Sequence, residues 1–240
     1  MDMTRNHHEL HAREFKLNGY TIIRHDALVQ QASELRRLFL SQFHSRFGDQ
    51  TARNRSLIKR FGASLEVASF SIHPAIRDCA SIAGIKEPVF CGPVVTHYTS
   101  SDLTGNAYGL PYHQGWPSMS SSVNSVVVWV SLRDANEGTH SVIVAPGRHK
   151  EGLLPGQQSD SGYVLSQDRF EGEVVLEIKA GELLVMSAFL PHKTHVHPTN
   201  SEWKLSLSRR LDDLACPSWA RRDYRNAYQT RVDRSLYLLD

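Results

Sequence analysis

The chain has 240 residues, long enough for one large domain and only weakly for two, and its 40% hydrophobic and 22% charged content is that of an ordinary soluble globular protein. A formal charge of +2 is no basic footprint of the kind nucleic-acid polymers select, and the longest apolar run, around Val126 to Val130, is far too short to cross a bilayer. The opening MDMTRNHHELHAREF has no apolar stretch of the secretory type, so a cytoplasmic protein is expected, with His7 and His8 in a loose terminus.

Taken in chain order, Gly19-Tyr20-Thr21-Ile22-Ile23 reads as a short strand after a turn. Asp26, as N-cap, then opens an amphipathic helix with Leu28, Ala32, Leu35 and Phe39 on one face, closing near Gly48. Pro74 marks the first turn of another helix. From Pro88 the character changes. Strands are predicted over 94–98, 123–132, 140–145, 174–178, 183–189 and 204–211, with turns at Asn136-Glu137-Gly138 and Ala180-Gly181-Glu182. Strands at this spacing imply a sandwich or barrel, with the helical N-terminal part packed on it. The stretch 147–170 reads as a long excursion over the barrel mouth. Cys79, Cys91 and Cys216 have no metal-ligand spacing and read as free thiols.

Thirteen histidines are the compositional oddity. His113 follows Pro111-Tyr112, and His192 ends the strand that begins Gly181-Glu182; in one barrel the two imidazoles can converge on an iron, zinc, copper or nickel ion. No third ligand or general base of a zinc hydrolase stands at suitable spacing.

Four segments together resemble the phytanoyl-CoA dioxygenase-like family of iron(II), 2-oxoglutarate dependent oxygenases. They are His113-Gln114-Gly115-Trp116, Val128-Trp129, Pro146-Gly147-Arg148-His149-Lys150-Glu151-Gly152-Leu153-Leu154-Pro155, and Gly181-Glu182 through His192. The opening Phe15 to Ile23 is similar as well, so the resemblance covers nearly the whole chain. It implies a mainly β double-stranded β-helix with flanking helices, residues 1–240 forming a single dioxygenase-like domain, with Fe(II), 2-oxoglutarate and O2 as cofactors. His113 and His192 would be the metal ligands.

The chain departs from the family's pattern at two places. Gly115 stands where the family has aspartate, two residues from His113 and so on the same side of an extended backbone. Two neutral imidazoles leave the ion's charge uncompensated, and chloride restores it. This resembles the halogenase branch of the superfamily, in which 2-oxoglutarate is decarboxylated to succinate, a hydrogen atom leaves an unactivated carbon, and the halide combines with the carbon radical. Other readings of Gly115 are a hydroxylase with water in the gap, a substitution in an ordinary hydroxylase, or a non-catalytic ligand-binding barrel. At the second place, Lys204 replaces the arginine that reaches the far carboxylate of 2-oxoglutarate; Ser206 lies on the same strand face, Tyr98 reads equally as a further cosubstrate contact together with His97 or as a core tyrosine, and Arg210 and Arg209 are fallback anchors. His195 and His197 compete with His192 but fit loop roles better, His149 orders its loop, and Trp116 and Trp129 pack the barrel. Arg209, Arg210, Arg221, Arg222, Arg225 and Arg231 gather late in the chain; most read as a solvated C-terminal segment, and some suit a phosphorylated small molecule such as a nucleotide, the kind of substrate met in antibiotic pathways.

Overall fold

The computed structural model describes residues 3–48, 51–100, 109–119, 122–159, 162–200 and 202–218. Arg221, Arg222, Arg225 and Arg231 lie outside them.

A five-stranded antiparallel sheet organises the molecule. Its order is β1 (Tyr20–Ile23), β8 (Leu183–Ser187), β3 (Val126–Ser131), β10 (Lys204–Asp213) and β2 (Pro88–Thr99). A three-stranded sheet, β7 (Val174–Val175), β4 (Ser141–Val144) and β9 (His192–His195), faces it. Val127, Trp129, Leu184 and Met186 of the large sheet and Val142 and Val144 of the small one share a buried cluster between the two layers. The strand spacing implied a sandwich or barrel, and the arrangement is the mainly β jelly roll that the family resemblance implied.

The helices cover the other face of the large sheet. They are α1 (Met3–Asn18), α2 (Asp26–Leu38), α3 (Thr51–Gly62), α4 (Leu65–Ser71) and α5 (Pro74–Asp78). Leu28, Leu35, Phe39 and Phe61 pack there against Val128, Val185, Leu205 and Leu207, because successive strand residues point to opposite faces and each helix carries one apolar stripe. Gly181, at φ +81°, lets the turn before β8 press on α2; a Cβ there would stand 2.6 Å from the Val29 Cα.

Several sequence expectations are revised. His7 and His8 belong to α1, where His8 Nε2 reaches Ser81 Oγ at 2.9 Å, so the N-terminal stretch docks on the helical layer. The long helix stops at Leu38, passes through a π-turn at Phe39–Phe43 and a 3-10 turn at His44–Arg46, and has His25, not Asp26, at its N-cap. That π-turn bunches Phe39, Phe43 and Phe61 with ring centroids 5.1–6.5 Å apart, aromatic packing outweighing regular helix geometry. The excursion after Gly147 carries structure of its own: a 3-10 turn at Arg148–Glu151 and a hairpin of β5 (Gly156–Ser159) and β6 (Gly162–Leu165). All three cysteines are free. No described helix is long and apolar enough to cross a membrane.

Candidate metal and cosubstrate site

His113 and His192 are brought together by backbone pairing. Each donates its N–H to the other's carbonyl at 3.0 Å, which makes them directly opposed residues of an antiparallel bridge with side chains on one side. Their rings lie 4.1 Å apart between centroids. Each ring is further fixed from its Nδ1, which stands 2.9 Å from a backbone carbonyl, that of Pro111 for His113 and that of Leu190 for His192. A carbonyl only accepts, so both Nδ1 atoms carry the proton and both Nε2 lone pairs are free. Burial drives both imidazoles toward the neutral form, and His192 lies well below its ordinary value. Two neutral, pre-oriented imidazoles form a donor set that suits a first-row transition metal. Among the described residues no group of three His, Cys, Asp or Glu side chains surrounds this point.

Gly115 follows on the same stretch. A Cβ built on it would meet the Val127 Cγ2 at 3.0 Å and the Ala188 carbonyl oxygen at 3.7 Å, so the room beside the glycine is shared with a valine of β3. Gln114, between His113 and Gly115, is 2% exposed and fully bonded: its amide donates to the carbonyls of Gly152 and Phe189 and accepts from the Leu154 N–H at 2.9 Å. Those bonds clamp the 146–155 stretch and the approach to His192 to the segment that contains His113. Nothing local in the sequence signals this, because the partners lie 38 to 75 residues away.

A cavity of about 160 Å³ opens beside the histidines and runs along β10, where it meets Lys204, Ser206, Ser208 and Arg210, every second residue of the strand. Lys204 is 4% exposed; its ammonium donates to the Ser141 carbonyl at 2.9 Å and lies 5.3 Å from the Trp129 ring centroid. Burial lowers its pKa to about 7. Ser206 Oγ is buried without a hydrogen-bond partner, and so is Arg210 Nε. A buried hydroxyl and a half-buried guanidinium whose Nε has no partner, on one strand face, fit a carboxylate-bearing ligand entering from the cavity. His97, opposite Ser206 in the register, also lines the cavity; burial first, then the nearby His113, Lys204 and Arg210, push its pKa down to about 3.

Tyr98 is not part of this cavity. Its neighbour His97 faces in, so strand alternation turns Tyr98 into the helical core, where its ring stacks on Trp203 at 5.9 Å and its hydroxyl approaches His44 Nε2 at 3.4 Å. The same alternation sends Arg209 out to the Gly92 carbonyl and the Phe90 ring, while Arg210 stays in. His195 Nε2 bonds the Glu137 carbonyl, and His197 Nδ1 accepts from the Asn200 N–H, so both serve loops. The His149 ring abuts Gly19. Trp116 stacks on Phe189 at 5.5 Å, whereas Trp129 both packs the barrel and walls the cavity. Ser208 and Thr99 were reachable by extending the two-residue period from Lys204 and His97, but sequence reasoning did not single them out.

Comparison with solved structures places this architecture. EvdO2 from Micromonospora carbonacea var. aurantiaca, complexed with 2-oxoglutarate, is similar with a TM-score of 0.64 and 15% identity over 94% of this chain and 97% of that one. The non-heme monooxygenase ThoJ gives 0.60 and 18% over 85% and 77%. The epimerase SnoN, in complex with Fe3+, alpha ketoglutarate and nogalamycin RO, gives 0.53 and 16% over 87% and 84%. The chain shares their fold. At these identities the likeness speaks to architecture alone, and no family model and no curated protein matches the chain.

Proposed function

We propose that the chain is a non-haem iron, 2-oxoglutarate dependent halogenase of the phytanoyl-CoA dioxygenase-like kind, with residues 1–240 as one domain, acting on an unactivated aliphatic C–H of a small molecule. One observation carries the reading: two imidazoles converge with free Nε2 atoms, and the third place holds Gly115, with no carboxylate beside it among the described residues. His113 and His192 would hold the iron, and chloride would take the position the glycine leaves and supply the missing negative charge. Bound iron, with 2-oxoglutarate and O2, supplies the oxidant that removes a hydrogen atom from the substrate carbon.

The chain's own residues hold the reactants in place. Lys204 and Ser206 receive the far carboxylate of 2-oxoglutarate, Lys204 by charge and Ser206 by its unspent hydrogen bond. The Pro111 and Leu190 carbonyls keep each Nδ1 protonated, so each imidazole offers the metal its Nε2 lone pair in a fixed direction. Trp129, Val127 and Met186 keep the inner wall apolar and exclude water.

The test is product analysis with Fe(II), 2-oxoglutarate, O2 and chloride across a panel of phosphorylated and carboxylated metabolites. A chlorine isotope doublet that needs both chloride and 2-oxoglutarate is expected; hydroxylated product alone at saturating chloride would overturn the halogenase reading. Crystals grown with bromide provide a readout besides turnover: an anomalous peak is expected next to Gly115 on the metal side. Val127 favours the second reading, a hydroxylase with water in the gap, because its methyl narrows the space on that side. The pair Gly115→Asp and Gly115→Asp with Val127→Ala separates the two. In a halogenase both abolish chlorination, and only the double variant, with room for the carboxylate, binds iron more tightly than wild type. In a hydroxylase the double variant raises hydroxylation.

A further inference from the structure

We propose that Arg210 and Ser208 form a second oxyanion seat, separate from the Lys204–Ser206 pair, and that it receives a phosphate or carboxylate group of the substrate itself. The assignment of the first seat to 2-oxoglutarate and the charge count rest on the function proposed above; the cavity lining and the unpartnered Arg210 Nε stand without it.

The cavity contains more fixed positive charge than the cosubstrate can match. Among the described residues its wall includes Lys204, Arg210 and Lys193 and no Asp or Glu. Lys193 has its own partner in Glu173, at 3.4 Å. Lys204 can lower its cost by losing a proton, since burial has already brought it to about 7. Arg210 has no such escape, because a guanidinium stays protonated throughout the working range. It is half-buried, its Nε is sealed off without a partner, and no described carboxylate pairs with it. A cation held this way calls for an anion from outside.

2-Oxoglutarate does not supply that anion. With one carboxylate at Lys204 and Ser206 and the other end at the metal, both of its charges are used. Ferrous iron, Lys204 and Arg210 together bring four positive charges; the dicarboxylate and one halide return three. The remaining charge belongs at Arg210. Position agrees: Arg210 lies six residues beyond Lys204 on the same strand face, past Ser206 and Ser208, so the two cations stand at different ends of the wall that β10 gives the cavity. Arg210 lines the same cavity as His97, His113 and His192, so an anion seated on it would put the rest of the substrate beside the proposed metal position. Its planar fork suits a bidentate oxyanion, and the Ser208 hydroxyl, two residues away on the same face, offers a further hydrogen bond.

The test is a double dissociation on the full-length protein. Inorganic phosphate and acetate are titrated calorimetrically into wild type, Arg210→Gln, Arg210→Lys and Lys204→Met, and 2-oxoglutarate into the same proteins loaded with Fe(II) under nitrogen. Arg210→Gln should weaken the preferred oxyanion at least tenfold and change 2-oxoglutarate affinity less than twofold, with Arg210→Lys in between, its melt serving as the folding control. Lys204→Met should do the reverse. Phosphate binding more tightly than acetate assigns a phosphate ester; acetate binding equally or more tightly assigns a carboxylate. Oxyanion affinity unchanged in Arg210→Gln, or 2-oxoglutarate affinity falling as far as in Lys204→Met, overturns the second seat. If the iron-loaded wild type fails to bind 2-oxoglutarate, the proposed function falls, and the phosphate and acetate titrations still decide Arg210.

Discussion

The two faces of strand β10 are buried almost equally and made of opposite chemistry. Leu205, Leu207 and Leu211, at 0 to 3% exposure, point into the helical core; Lys204, Ser206 and Ser208, at 0 to 5%, point into the cavity. The apolar face is satisfied by its packing. The polar face withdraws the Ser206 hydroxyl and the Arg210 Nε from water without giving either a hydrogen-bond partner, a cost that a ligand can offset. One strand thus divides stability from binding at every residue, and a substitution should reveal its face by which property it moves.

The sharpest test of that division lies next to the strand, at the metal end. His192→Ala removes one of the two proposed protein donors among the described residues, and iron affinity should fall at least a hundredfold, read by titration under nitrogen, while the metal-free protein keeps its melting temperature within a few degrees. An affinity within threefold of wild type would show that His192 is no ligand. On the apolar face, Leu207→Ala should cost about 2–5 kcal/mol in urea unfolding, the range for a buried leucine whose site cannot collapse, and leave the affinity of the surviving folded protein for 2-oxoglutarate unchanged. A loss of affinity without a loss of stability would mean that the two faces are not independent.

The division was legible in the sequence where it is periodic. Lys-Leu-Ser-Leu-Ser from Lys204 to Ser208 alternates strictly, and that alternation separates cavity from core. The meeting of His113 and His192 was legible as well, because His113 opens one recognisable segment and His192 closes another. Tyr98 was misassigned because two neighbours, His97 and Tyr98, were both turned toward one ligand, which a strand forbids. The π-turn after Leu38 arises from tertiary packing of Phe39, Phe43 and Phe61, and the helical pattern runs through it without a break. The clamp made by Gln114 joins carbonyls distant in the chain, and backbone carbonyls leave no mark in a sequence.

Lys204 also gives the division a pH signature. Its folded pKa of about 7 lies below the ordinary lysine value of 10.5, so between these limits the unfolded chain binds more protons and stability rises with pH. The penalty is fully present below pH 7 and is relieved on the way to 10.5. Urea midpoints of the ligand-free protein should therefore increase from pH 7 to 9, and Lys204→Met should flatten that rise. Binding runs the other way. A dicarboxylate selects the charged ammonium, so 2-oxoglutarate affinity should fall over the same interval, and Lys204→Arg should remove the fall. A wild-type affinity independent of pH from 7 to 9 would place the carboxylate elsewhere.

The smallest effect is expected at Ser206. Its hydroxyl is fully buried and has no partner in the ligand-free protein, so Ser206→Ala removes a polar group that folding leaves unpaid and should change stability by less than about 1 kcal/mol, in either direction. The same hydroxyl becomes a donor once a carboxylate enters, and its loss should weaken 2-oxoglutarate about three- to tenfold, the net size of one ordinary hydrogen bond. The pairing of these two numbers is the point of the experiment. A substitution 0% exposed that leaves folding alone and touches binding behaves as the cavity face should, whereas a destabilisation comparable to Leu207→Ala would assign Ser206 to the core and leave Lys204 as the only anchor on that end of the strand.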